Sequence, residues 1–97
     1  IGYLALRLNT TGNSNIAVGG GALDATTTGS RNVAVGYNSL GANTTANNNT
    51  AVGNASLDAN TTGTANTGIV ETLWEQTLQQ ITTQLLVLIV YYQTLQE

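Results

Sequence analysis

Glycine returns at a constant interval of 17 residues, at Gly2, Gly19, Gly36 and Gly53, each time after a β-branched residue (Ile1, Val18, Val35, Val52). A fixed period in this range marks a repeat protein, in which one unit cannot bury its own apolar face and must stack on its neighbours. The other positions keep the same register. Leu6, Leu23, Leu40 and Leu57 stand four places after the glycine, and Asn15, Asn32, Asn49 and Asn66 close each unit. Between them lie the pairs Thr10-Thr11, Thr27-Thr28, Thr44-Thr45 and Thr61-Thr62. The pattern is cut at both edges, which predicts a piece of a longer array.

Each unit carries an apolar tripeptide before its glycine: Ile16-Ala17-Val18, Val33-Ala34-Val35, Thr50-Ala51-Val52. Strand alternation puts the first and third side chains on one face and alanine on the other. The branched residues suit the half-buried face, and the small alanine face is the one expected to let neighbouring chains approach. Glycine then permits a corner, and a second short strand is expected around Ala22-Leu23, Ser39-Leu40 and Ser56-Leu57. Thr-Thr-Gly-x-x-Asn is turn chemistry. The expected fold over residues 1–69 is all-β: a parallel β-solenoid of about four 17-residue coils, spaced ~4.8 Å apart, with the asparagines in a ladder. Its core is thin. Each unit offers roughly two or three sizeable apolar side chains, worth about 1.5–3 kcal/mol apiece when fully buried. Ordering one residue costs about 1–2 kcal/mol in backbone entropy. More coils, oligomers or both are therefore expected, with a homotrimer favoured.

Composition excludes several function classes. The chain of 97 residues has no Cys, His, Met or Pro, and only 7% of it is charged. That removes thiol and imidazole nucleophiles, disulfides and the usual zinc ligands, so no cofactor is expected. Two basic residues, Arg7 and Arg31, cannot make a phosphate-neutralising stripe, so nucleic acid is not an expected partner. No run is long enough for a helical membrane span, and membrane insertion by this segment is not expected.

The pattern Asn32-Val33-Ala34-Val35-Gly36-Tyr37-Asn38-Ser39-Leu40 resembles the YadA-like head repeat of trimeric autotransporter adhesins, and similar arrays occur in bacteriophage tail fibres. The resemblance covers residues 1–69 and recurs four times, although the family's usual unit is somewhat shorter. It implies a left-handed parallel β-roll, a homotrimer, an extracellular place on a bacterial surface or a virion tail, and attachment to a host glycan or protein receptor.

Residues 70–97 are written differently: they lack Gly, Ala and Asn but hold every Gln and Glu and the single Trp. At face value they form a helical tail. Trp74, Leu78, Ile81, Leu85, Leu88, Tyr92 and Leu95 alternate spacings of four and three, a coiled-coil seam, though Ile89, Val90 and Tyr91 break the polar face. A second reading fits better. Regrouping the back-translated codons one nucleotide earlier forces Glu75 to glycine, because the Trp74 codon supplies its first base. It also lets Leu85, Leu86 and Val87 give Ala-Val-Gly, one period after position 70. The tail is then expected to be an out-of-frame reading of further repeats.

The remaining candidates have plainer explanations. Asp24 and Asp58 share one position two units apart, about 10 Å in a stack, and are expected to be solvated turn residues, not a catalytic pair. Gly19-Gly20-Gly21 lacks the Lys-Ser/Thr and the helix of a phosphate loop. The glycosylation triplets at Asn9, Asn43, Asn48, Asn54 and Asn60 arise readily in an Asn/Thr-rich repeat. Tyr3 and Tyr37 share the position after the glycine and are the candidate receptor contacts, as aromatics able to stack on sugar rings. The expected function is therefore non-enzymatic: an adhesive fibre segment acting by multivalent display. The alternatives are a solenoid ice-binding protein, against which the threonines stand adjacent instead of alternating, and a non-catalytic piece of a glycan-cleaving tail spike.

Overall fold

The computed structural model describes residues 1–69 and 71–96, with side chains from residue 79 onward in the C-terminal helix. Four strands of three residues, β1 (Ile16–Val18), β2 (Val33–Val35), β3 (Thr50–Val52) and β4 (Thr67–Ile69), precede one helix, α1 (Glu71–Gln96). The strands form a single parallel sheet in the order β1-β2-β3-β4. Ile16 pairs with Val33, Val33 with Thr50, and Thr50 with Thr67. The sequence period is thus the register of the sheet, because equivalent residues lie side by side. Ahead of β1, the Ile1 ammonium donates to the Ala17 carbonyl at 2.6 Å, and Gly19 N–H donates to the Ile1 carbonyl at 2.7 Å, so the first repeat joins the same ladder.

The two strand faces are the reverse of the expected ones. Ala17, Ala34 and Ala51 point inward, at 6%, 0% and 0% exposure, whereas Ile16 and Val18 point outward at 54% and 37%. The interior explains this. Leu23 and Leu40 are fully buried and form one cluster with Ala17, Ala22, Ala34 and Ala51, with Ala5, Leu6 and Leu57 packed against it. With one leucine per repeat filling the space behind the sheet, the strand has room inside only for a methyl group. In β4 the same place holds Gly68, where an added Cβ would lie 2.7 Å from Cγ of Leu57. The alanine face is therefore core and cannot meet another chain.

The expected second strand is a turn. Leu6, Leu23, Leu40 and Leu57 all adopt the left-handed region, at φ of 53°, 53°, 51° and 51°. That conformation costs an L-residue roughly 1–2 kcal/mol. Burial of a leucine returns about 1.5–3 kcal/mol, enough to offset it. The tight bend is what swings the leucine inward. Backbone pairing survives it: Leu6, Leu23 and Leu40 N–H donate to the carbonyls of Ala22, Ser39 and Ser56, each at 3.0 Å.

Helix α1 has no covered side among the described side chains, since residues 79–96 are all exposed. The seam residues Ile81, Leu85, Leu88, Tyr92 and Leu95 are 56–64% exposed, no less than Leu86 and Val87 off the seam, at 60% and 64%. Trp74 and Leu78 of that seam, and Val70 before the helix, lie outside what is described. Among the described residues, no helix is long and apolar enough to cross a membrane.

Candidate functional site: internal ladders and the surfaces they hold

The asparagine ladder runs through all four repeats. Asn32, Asn49 and Asn66 N–H donate to Oδ1 of Asn15, Asn32 and Asn49 at 3.0, 3.0 and 2.8 Å. Each amide then turns across the repeat. Nδ2 of Asn15, Asn32 and Asn49 donates to the carbonyls of Gly29, Ala46 and Gly63 at 2.8, 2.9 and 2.8 Å. One side chain thus satisfies the backbone on both sides of a turn, the accounting that a buried polar segment requires. Asn32 and Asn49 are wholly buried.

A second polar column escaped the sequence reading. Asn9, Thr26, Asn43 and Asn60 occupy one position of the repeat, and Thr26 and Asn43 are fully buried. Thr26 Oγ1 donates to the Asn43 carbonyl at 3.0 Å, and Nδ2 of Asn9 and Asn60 closes on the carbonyls of Gly12 and Gly63, both at 2.9 Å. Nδ2 of Asn60 also reaches Oδ1 of Asn43 at 3.3 Å. Threonine has no amide to repeat that contact one step earlier, and Oδ1 of Asn9 is left buried without a partner. The mixture of Asn and Thr hid the column. Its only trace in the sequence was the set of glycosylation triplets, of which Asn43 is sealed inside.

The outer surface inherits this spacing. On the sheet, one outward row, Val18, Val35, Val52 and Ile69, is apolar throughout, and the other passes from Ile16 and Val33 to Thr50 and Thr67; Ile16, Val18 and Ile69 are exposed, and Val33, Val35 and Val52 half-buried. Past the corner glycines, Tyr3 and Tyr37 stand 82% and 69% exposed, with Gly20 between them. The first threonine of each pair ties one repeat to the next: Oγ1 of Thr10, Thr27 and Thr44 donates to the carbonyls of Thr27, Thr44 and Thr61 at 3.0, 3.3 and 3.3 Å. The second threonine, Thr11, Thr28, Thr45 or Thr62, is exposed.

Asp24 lies in a turn with its side chain 24% exposed, but its carboxylate is paired. Nε and Nη2 of Arg7 donate to its two carboxylate oxygens at 2.8 and 3.2 Å, a fork across adjacent repeats. The bonded and charged Asp24 carboxylate raises the Arg7 pKa, and the nearby Tyr3 adds slightly. Arg7 and Asp24 are 17 apart, a signal that was present in the sequence but unused. Gly20 lies beside the Tyr37 ring and Gly21 is at φ 70°, so the glycine triplet serves surface and turn. Among the described residues no group of acids, histidines or cysteines could hold a metal ion.

No family model matches the chain, and no curated protein or solved structure matches it either.

Proposed function

We propose that residues 1–69 are a parallel β-solenoid, the left-handed roll of YadA-like heads, and that three copies assemble into a non-enzymatic adhesive fibre on a bacterial surface or a virion tail. The observation that carries this reading is the outward apolar face of the sheet. Val18 and Ile69 are 37% and 61% exposed, and the row between them runs unbroken through the half-buried Val35 and Val52, with Ile16, 54% exposed, and Val33 beside it. Covering each half-exposed branched side chain is worth about 1 kcal/mol. Every repeat offers β-branched residues at the same two outward positions and the same rise, so identical chains around a threefold axis meet row to row. Such a contact supplies the burial that the small alanine–leucine core lacks.

The fibre would work by repetition. Three chains present identical weak contacts to a surface glycan or protein receptor, and avidity supplies the grip. Ile16→Lys with Val35→Lys places charge on the outer face without touching the core. The native chain is expected to sediment as a trimer and the variant as a monomer. Retention of the variant on receptor-bearing cells is expected to fall by about 10²–10⁴-fold. A native monomer, or a variant that stays trimeric, overturns the proposal.

Residues 70–97 belong to this reading as further repeats in a shifted frame. Two observations support it: position 70 holds valine where the period calls for the next corner glycine, and the described side chains of α1 have no covered face. The nucleotide sequence decides it, and a shifted frame without the repeat removes the idea.

A further inference from the structure

We infer that the Tyr3–Tyr37 column is a binding platform for an extended β-linked polysaccharide lying along the stack of repeats. The inference rests on the attachment reading above and names the class of receptor.

The two tyrosine backbones are held at a set distance. The carbonyls of Tyr3, Gly20 and Tyr37 accept from Gly21, Asn38 and Ala55 N–H, each at 2.8 Å, so this column is laddered like the sheet. Two ladder steps of ~4.8 Å put the two tyrosine backbones about 9.6 Å apart. Gly20 adds no side chain of its own at the intervening step. A Cβ there would lie 3.4 Å from Cδ2 and 3.6 Å from Cε2 of Tyr37, so the ring leans over the glycine and fills the place of a side chain. Both tyrosines remain mostly exposed, at 82% and 69%, and neither belongs to the core cluster. They also lie past the corner glycine from the outward rows, off the face proposed to join the chains.

The chemistry of such a column selects its ligand. Pyranose rings stack their C–H faces on aromatic rings, and tyrosine supplies that area at little entropic cost. In an extended β-linked glycan each sugar is flipped relative to the last, so like faces recur every second ring, over a length comparable to two ladder steps. A straight glycan lying along the column therefore meets both rings, with that of Tyr37 reaching over Gly20. The Arg7–Asp24 pair is beside Tyr3, and its side chains, 52% and 24% exposed, offer charged partners for hydroxyl groups. An α-linked glucan curls and cannot follow a straight column.

The test uses the full chain, with hexamers of β-linked N-acetylglucosamine and of β-linked glucose as probes and an α-linked glucose hexamer as control, measured by titration calorimetry. Binding of a β-linked hexamer over the α-linked one is expected, with Tyr3→Ala and Tyr37→Ala each weakening it by about tenfold. The decisive variant is the exchange Tyr37→Asn with Asn54→Tyr. It keeps the composition and uses residues the column already holds, but sets the rings three ladder steps apart, and is expected to lose affinity as Tyr37→Ala does. No binding of either β-linked hexamer, or an exchange variant that binds as well as the native chain, overturns the platform. The same samples are applied to receptor-bearing cells. Retention there without oligosaccharide binding overturns the platform alone, and absence of both overturns the attachment reading with it.

Discussion

Asn32→Ala lowers the stability of the repeat region by about 2–4 kcal/mol in chemical denaturation. Asn49 N–H, which donates to Oδ1 of Asn32 at 3.0 Å, loses its partner, and the Ala46 carbonyl loses its 2.9 Å bond from Nδ2 but keeps one from Nδ2 of Asn43 at 3.3 Å. The N–H left unpaired costs about 1–3 kcal/mol and the bond lost at the carbonyl about 0.5–1.5 kcal/mol. Asn32 is wholly buried, so bulk solvent does not reach the freed groups, and a single trapped water in the vacated space sets the lower end of that range. The control lies in the same column. Asn66 is exposed, and its N–H bond to Oδ1 of Asn49 belongs to the backbone and survives substitution. Asn66→Ala is therefore expected to change stability by no more than about 0.5 kcal/mol, as for an ordinary surface site. Equal losses at the two positions would mean that the asparagine ladder is not what holds the turns together.

That contrast shows how far the sequence could be read. The period of 17 predicted the pairing register, because a fixed interval leaves only one way to align the copies, and Ile16, Val33, Thr50 and Thr67 do lie abreast. The asparagine column was legible for the same reason. Which face of the strand is inside was not. Alternation separates Ala34 from Val33 and Val35 but says nothing about where the bulk of the leucines sits, and Leu23 and Leu40 decide it. The bend at those leucines was hidden as well, because leucine carries no signature of positive φ and adopts it only when burial outweighs the strain. The outer surface followed from the strand reversal. Once the branched residues point outward, their rows replace the alanines as the face that another chain would cover. The column of Asn9, Thr26, Asn43 and Asn60 needed the recognition that asparagine and threonine can both bond a turn backbone.

The corner glycines set the tightest limit on the sequence, and Gly36→Ala is expected to abolish folding of the repeat region. Gly36 has φ of 136°, a conformation that side-chain-bearing residues rarely adopt. Strain alone leaves little room, since the leucines of each repeat accept positive φ only at 51–53°, in the left-handed region, not at 136°. Contact with the next repeat removes that room. A Cβ on Gly36 would overlap the carbonyl oxygen of Gly53 and lie 2.6 Å from its carbon and 3.2 Å from the nitrogen of Asn54. These are backbone atoms and cannot rotate aside. Relief requires the repeats to separate at the corner, where Gly36 and Gly53 N–H donate to the carbonyls of Val18 and Val35, each at 2.7 Å. Backbone strain, overlap and lost ladder bonds then add, giving a cost above about 4 kcal/mol, the exceptional end of single substitutions. Gly20→Ala is the matched control. Its Cβ would rest 3.4 Å from Cδ2 of Tyr37, a side chain free to shift, and its cost is expected to stay below about 1 kcal/mol. Circular dichroism and amide exchange compare the two. A Gly36→Ala chain that keeps native β signal and protected strand amides would show that adjacent corners stand farther apart than the ladder places them.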